Sequence, residues 1–184
     1  MHSPSGQRAV FLDRDGTIIE DVDYLTTVDE LRLLPGAPEA LRRLREAGLL
    51  LLVVTNQSAV ARGWLTEDGL QEIHRRLGKL LEEQGAQVDD FFYCPHLPDG
   101  EVAEYAVECS CRKPAPGLLE RAAEKWNVDM ASSFAVGDSE RDVQAGISAN
   151  CYSILLSEDE STATAAGAVA RDLPEAADLI LGQL

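Results

Sequence analysis

The chain has 184 residues, a length suited to one domain with a sizeable buried core rather than to two. Hydrophobic residues make up 45% and charged residues 26%, which excludes disorder as the main state. Its 32 acidic against 16 basic residues leave a formal charge of −16, so a nucleic-acid backbone or an anionic membrane surface is repelled, and an anionic small substrate needs a local basic pocket.

The opening MHSPSGQR passes straight into FLDRD without an apolar leader. The longest strongly apolar run, Ala47 to Val54, is too short to cross a bilayer, so a cytoplasmic protein is expected. Arg8 to Asp13 reads as a strand. Gly36 to Ala47 reads as a helix, because Ala37, Ala40, Leu41 and Leu44 recur at helical spacing and Gly48 stops the run. Leu49 to Thr55 follows as a buried strand. Thr66 is placed to cap a helix whose first turn carries Glu67 and Asp68 and whose apolar stripe is Leu70, Ile73, Leu77 and Leu81, ending near Gly85.

A short strand, Asp89 to Tyr93, leads into an irregular stretch from Cys94 to Pro116 punctuated by Pro95, Pro98, Pro114 and Pro116. Helix is expected again over Gly117 to Trp126 and Glu140 to Ala149, strand over Phe134 to Val136 and Tyr152 to Leu156, and a last helix after Pro174. The Ala/Thr-rich stretch Ser161 to Ala170 reads as a weak helix or a loop. Repeated βα units imply an α/β fold with a parallel, Rossmann-like sheet, helices on both faces, and ligands at the carboxyl ends of the strands.

Polar motifs fall at those ends. Asp13 and Asp15 stand in FLDRDGT directly after the first strand, where two carboxylates followed by a glycine can converge on one cation or one phosphoryl group. A carboxylate can attack phosphorus if a divalent ion offsets the charge, while a second carboxyl protonates the leaving oxygen and later deprotonates water. Asp13 is then the nucleophile and Asp15 the acid/base. The alternative is a polar turn whose side chains cap backbone groups. Thr55 at the end of VVTNQS and Asp138 in AVGDSERD, both at strand ends, weigh against that alternative.

Cys94-Pro-His96 and Cys109-Ser-Cys111 form two closely spaced pairs of soft ligands, as tetrahedral zinc requires. Four protein ligands leave no open position, so this Zn2+ is structural and pins the Pro-rich loop at about residues 93–112. A disulfide, or unconnected cysteines beside a stray histidine, are the alternatives, and neither accounts for His96. Cys151, in the strand CYSILL, reads as a small buried hydrophobe. His2 and His74 lack ligand-spaced companions, and His74 is expected to be a solvated helix residue.

DRDGT, the threonine of VVTNQS, the lysine of CRKPAPG and the aspartates of GDSERD together resemble the haloacid-dehalogenase superfamily of aspartate-nucleophile phosphohydrolases. The resemblance implies that the Asp13 carboxylate, the Asp15 carbonyl and Asp138 bind Mg2+, with Asp142 supporting the ion from a second shell. It also implies that Thr55 and the amides after it hold the phosphoryl oxygens while Lys113 supplies positive charge. The alternative for Lys113 is an ordinary surface lysine, against which its place between Arg112 and Pro114 in an otherwise acidic chain weighs.

Adding DVDY, VVTNQSAVARGWLTE, YCPHLPDG and VGDSERDVQAG, the chain from about residue 8 to 156 looks like the D-glycero-D-manno-heptose 1,7-bisphosphate 7-phosphatase family. That resemblance implies one domain over 1–184, no separate cap domain, a monomer, and a sugar bisphosphate as substrate. Asp21 to Tyr24 would contact the sugar, and Asn56, Gln57 and Ser58 the phosphate side with Thr55. Arg112 would grip the distal phosphate, with Arg62 approaching the substrate or else ion-pairing with Glu67 or Asp68. The sequence departs from the family at Ser139, where many relatives carry lysine, and beyond Leu156. A histidinol-phosphate phosphatase and a non-catalytic zinc-stabilised binding module are the competing readings.

Overall fold

The fold is described from a computed structural model covering residues 6–159 and 161–184. His2 and the rest of the opening segment before Gly6 lie outside the described residues. Six parallel strands form one sheet: β1 (Ala9–Leu12), β2 (Leu50–Asn56), β3 (Asp90–Cys94), β4 (Phe134–Gly137), β5 (Tyr152–Leu156) and β6 (Ala168–Ala170), in the order β3-β2-β1-β4-β5-β6. Among the described residues five α-helices accompany them: α1 (Ala37–Glu46), α2 (Glu67–Glu83), α3 (Gly117–Trp126) and α4 (Glu140–Ser148) lie between successive strands, and α5 (Leu173–Leu181) follows β6. Among the described residues no helix is long and apolar enough to cross a membrane.

The strands are apolar on both sides because both sides are covered. Val10 and Leu12 of β1 join Leu51 and Val53 of β2 and Phe134 and Val136 of β4 in one core layer, under Leu41 and Leu44 of α1, Ile73 and Leu77 of α2, and Ile180 of α5. The alternate residues Ala9 and Phe11, Leu52 and Val54, and Ala135 face the other layer, under Leu118, Leu119 and Ala122 of α3 and Ala145 of α4. Period-two alternation thus divides continuous apolar runs between two helical layers. Each fully buried Leu or Ile contributes about 1.5–3 kcal/mol to holding them.

The chain builds outward from β1 through β2 to β3, then returns to place β4 on β1's other side, with Phe11 opposite Leu52 and Ala135. Such a reversal of direction opens a crevice at the carboxyl ends of the two central strands. Asp13 follows β1 there, Thr55 and Asn56 end β2, and Asp138 follows β4.

Two expectations need correction. Ala168–Ala170 is neither helix nor loop but an edge strand, paired with Ile154 to Leu156. Three residues are too few to show a period, so only the exposed edge of β5 reveals the strand. His74 is not solvated: it is 3% exposed and stacks on Phe91, with ring centroids 4.7 Å apart. Its position one residue after Ile73 and four after Leu70 puts it on the buried face of α2. Thr66 caps α2 as expected, accepting from the Gly69 amide at 3.1 Å.

Candidate active site

A cleft of about 330 Å³ opens at the carboxyl ends of β1, β2 and β4. Asp13, Asp15, Asp21, Tyr24, Thr55, Asn56, Gln57, Ser58, Arg62, Arg112, Lys113, Asp138 and Asp142 all line it. It brings together residues separated by up to 129 positions in the chain, and Arg14, Ser139 and Arg141, which the sequence reading did not assign, line it too.

Asp13 is fixed by its own backbone, whose N–H donates to Val136 O at 2.9 Å, tying it to β4. Lys113 reaches its side chain from the far loop: Nζ lies 2.8 Å from Asp13 Oδ1, 2.5 Å from Asp142 Oδ1 and 2.8 Å from the Val54 carbonyl. Lys113 is only 4% exposed, so it is a buried ammonium shared between two carboxylates and not a surface lysine. Burial by itself would lower its pKa, but Asp13 and Asp142 together raise it. Burial pushes the Asp13 carboxyl up to about 7, with Asp142 adding to the rise and Lys113 opposing it. Burial raises Asp138 to about 6, reinforced by Asp142 and Asp21.

These raised values mark a concentration of negative charge that a divalent cation would relieve. Oxygens of Asp13, Asp138 and Asp142 lie within 4.8 Å of one another. Asp142 is already engaged, with Oδ1 on Lys113 and Oδ2 accepting from the Ser139 N–H at 3.1 Å and its hydroxyl at 2.7 Å. Gly16 makes the space: at φ +75°, a Cβ on it would fall 2.0 Å from Asp138 Oδ2. An oxygen donor set of this kind, with two carboxylates open to an ion, fits Mg2+.

Asp15 is held from behind. Arg14 Nε and Nη2 donate to its two carboxylate oxygens at 3.1 and 3.0 Å, and Gln57 Nε2 donates to Oδ2 at 2.9 Å. Gln57 Nε2 also lies 2.9 Å from Thr55 Oγ1, which leaves the threonine's hydroxyl proton to donate into the cleft. The side-chain amides expected to meet substrate are therefore already occupied. Gln57 serves Asp15 and Thr55, while Asn56 pairs reciprocally with the backbone N–H and C=O of Lys113, both at 3.0 Å.

At the mouth, Asp23 and Tyr24 take positive φ values of 48° and 74°, a conformation that turns Tyr24 edge-on to Trp64 at 4.9 Å. The Arg62 guanidinium lies 5.2 Å from both ring centroids. Its expected alternative partner Glu67 is engaged elsewhere, its carboxylate accepting from the Tyr93 and Tyr105 hydroxyls at 2.8 and 3.1 Å. Trp64, two residues after Arg62, packs on Tyr24 and under the Arg62 guanidinium without itself lining the cleft.

A second cluster lies in the loop that carries Arg112 into the cleft. Cys94, His96, Cys109 and Cys111 converge with Sγ–Sγ and Sγ–Nδ1 separations of 3.4–3.7 Å, and all four cysteines of the chain are free thiols. Zinc–sulfur bonds of about 2.3 Å in tetrahedral array bring ligand atoms to such separations, so the donor set fits Zn2+. Burial raises the Cys94 thiol. Burial opposes the fall at Cys109, but hydrogen bonds from Cys111 and Cys94 bring it down to about 7. The loop is tied to the cleft by Val102 N–H donating to Ala61 O at 2.9 Å and Arg112 Nη1 to His96 O at 3.1 Å. Cys151 stands apart as a buried thiol raised to about 12 by burial.

Comparison with known proteins agrees with this architecture. Residues 20–150 match the haloacid dehalogenase-like hydrolase family. A Yersinia pestis protein named D-glycero-beta-D-manno-heptose-1,7-bisphosphate 7-phosphatase is 42% identical over 89% of this chain and 87% of its own. An Escherichia coli K12 protein of the same name is 41% identical over 80% and 78%. The crystal structure of D,D-heptose 1,7-bisphosphate phosphatase from B. bronchiseptica, complexed with magnesium and phosphate, superposes with a TM-score of 0.84 at 34% identity, covering 97% of this chain and 100% of that one. The chain belongs to the haloacid dehalogenase-like hydrolase family.

Proposed function

We propose that this chain is a magnesium-dependent phosphatase that removes the 7-phosphate of D-glycero-D-manno-heptose 1,7-bisphosphate through an aspartyl-phosphate intermediate. The observation that carries the reading is Asp13 at the tip of β1, with Lys113 Nζ 2.8 Å away and Thr55 and Asp138 lining the same cleft. The names of the relatives support the sugar bisphosphate and its beta anomer, and the magnesium and phosphate of the B. bronchiseptica structure support the ion and the leaving product.

Mg2+ held by Asp13, the Asp15 carbonyl and Asp138 would offset the charge gathered where carboxylate meets phosphate. Asp13 attacks phosphorus as the bond to the sugar oxygen breaks, and the Asp15 carboxyl gives that oxygen its proton. Water then attacks the aspartyl phosphate and surrenders a proton to Asp15, releasing inorganic phosphate and regenerating Asp13. Lys113 and Thr55 donate to the phosphoryl oxygens throughout. Arg112, Arg62 and the Asp21 to Tyr24 segment receive the rest of the substrate, and a structural Zn2+ on the four-ligand cluster holds the loop that carries Arg112. A guanidinium suits a second phosphate because it can grip two oxygens at once.

Phosphate release from both heptose bisphosphate anomers, fructose 1,6-bisphosphate and histidinol phosphate tests the assignment, with Asp13→Asn as control. Heptose bisphosphate should give the highest kcat/KM and Asp13→Asn should be inactive. Equal or faster turnover of histidinol phosphate would overturn the substrate, and an active Asp13→Asn the mechanism.

A further inference from the structure

Among the described residues Arg14 is the largest side chain essentially sealed from solvent, at 1% exposure, and it lies between the two motif aspartates. A guanidinium in that position must have its donors met. Four contacts meet them: Asp15 Oδ2 and Oδ1 as a two-point grip, Gln57 Oε1 at 3.0 Å, and His74 Nε2 at 3.2 Å.

The last contact fixes the state of the histidine. Arginine only donates, so Nε2 accepts and the ring proton sits on Nδ1. Nδ1 is buried and has no partner among the described residues. A leucine at position 74 would complete the apolar stripe of α2 without burying an unpaired donor. The imidazole that stands there instead contributes one thing a leucine lacks, an acceptor aimed at Arg14, and its ring is held flat against Phe91 of β3 with an interplanar angle of 14°. Burial, with Arg14 adding to it, drives the His74 pKa down to about 3, so the acceptor is retained at neutral pH.

Resting on the phosphatase reading above, we infer that Arg14 and His74 are positioning residues for the proton-transferring carboxylate of Asp15: the guanidinium fixes the carboxylate and the imidazole fixes the guanidinium. The contacts are unequal. Oδ2 receives two donors, from Arg14 and Gln57, whereas Oδ1 receives one, so Oδ1 is the oxygen with room to exchange a proton with the ester oxygen or with water. Gln57 also reaches Thr55, so the same clamp registers the acid against a phosphoryl-binding hydroxyl.

Leaving-group dependence separates positioning from mere structural support. A sugar alkoxide needs its proton in the bond-breaking step and p-nitrophenolate does not, and kcat/KM reports only events up to transfer of the phosphoryl group to Asp13. Arg14→Lys keeps a charge but loses the two-point grip. It should lower kcat/KM for heptose bisphosphate by about a hundredfold and that for p-nitrophenyl phosphate by less than about tenfold, since general acid catalysis contributes roughly 10²–10⁴. His74→Phe, which keeps the stacking ring, should show the same bias, and His74→Gln, whose amide oxygen accepts from Arg14, should restore the alkyl ester. Equal losses on the two esters, or no loss on either, would overturn the inference. Both esters silent in Asp13→Asn, with an unbiased Arg14→Lys, would sink it alone; activity surviving in Asp13→Asn would sink the reading beneath it.

Discussion

The ammonium of Lys113 and the carboxylate of Asp142 lie 2.5 Å apart, each less than a tenth exposed; Lys113 is otherwise held by Asp13 and the Val54 carbonyl, and Asp142 by the N–H and hydroxyl of Ser139. The pair joins the irregular loop after the cysteine cluster to the first turn of α4. Removing one member leaves the other buried and uncompensated, which generally costs about 3–5 kcal/mol. Lys113→Met should therefore lower stability by roughly that amount in urea unfolding without magnesium, and lower kcat by about 10²–10³ through loss of phosphoryl stabilisation. Unchanged unfolding would show that Lys113 is dispensable to the fold.

Gly16→Ala addresses the cation side of the cleft. The residue sits at φ +75°, where a side chain costs about 1–2 kcal/mol, and its Cβ would meet Asp138 Oδ2 at 2.0 Å. The carboxylate has to swing away. The magnesium concentration giving half-maximal phosphate release should rise by about tenfold or more, equivalent to about 1.4 kcal/mol of binding. An unaltered magnesium requirement would remove Asp138 from the ion's site.

Ser139 acts on Asp142 through its N–H and its hydroxyl. It is also the capping residue immediately before α4. Ser139→Ala should cost about 1 kcal/mol in thermal or urea unfolding, as loss of an N-terminal hydroxyl generally does. The same variant should lower activity modestly, because Asp142 then holds Lys113 less firmly. Full stability would show that the hydroxyl contact is incidental.

His74 predicts a pH effect of definite sign. Its folded value near 3 lies below the usual 6.5, so the unfolded chain binds the extra proton. Its contribution is fully present above pH 6.5 and is lost as pH falls toward 3, at up to about 1.4 kcal/mol per pH unit. The groups facing it are Arg14 and Tyr93, the latter held by Glu67. Asp13 and Asp138, whose folded values are raised, act in the opposite sense between about pH 4 and 7. Comparing wild type with His74→Phe cancels them. The wild-type curve should fall relative to the variant on acidification, and parallel curves would contradict a neutral buried imidazole.

The cysteine cluster predicts about one zinc per chain by metal analysis. Chelation, or Cys109→Ala, should open the 93–112 loop to proteolysis and raise the KM for sugar bisphosphate more than it lowers kcat, because Arg112 is anchored to His96 through its carbonyl. A loop equally resistant without metal would mean that the Val102 and Tyr105 contacts hold it unaided.

Much of this molecule is legible in one dimension because its signals are local. Strand and helix alternate in the apolar period, the acidic motifs follow strands within two residues, and two short C-x-H and C-x-C spacings announce a four-ligand cluster. What depends on contact across the chain is not written that way. The motif marks Lys113 as a source of positive charge, but its burial and its pairing arise only because the loop lays it against Asp13, 100 residues away. His74 looks solvated until α2 is pressed onto β3 and its ring meets Phe91 and Arg14. Composition and periodicity set which faces must be covered, since burial of apolar area is additive and short-ranged. The protonation, pairing and orientation of the polar groups depend on which neighbours replace water around them, and that is decided only when the strands have been ordered and the sheet has closed over them.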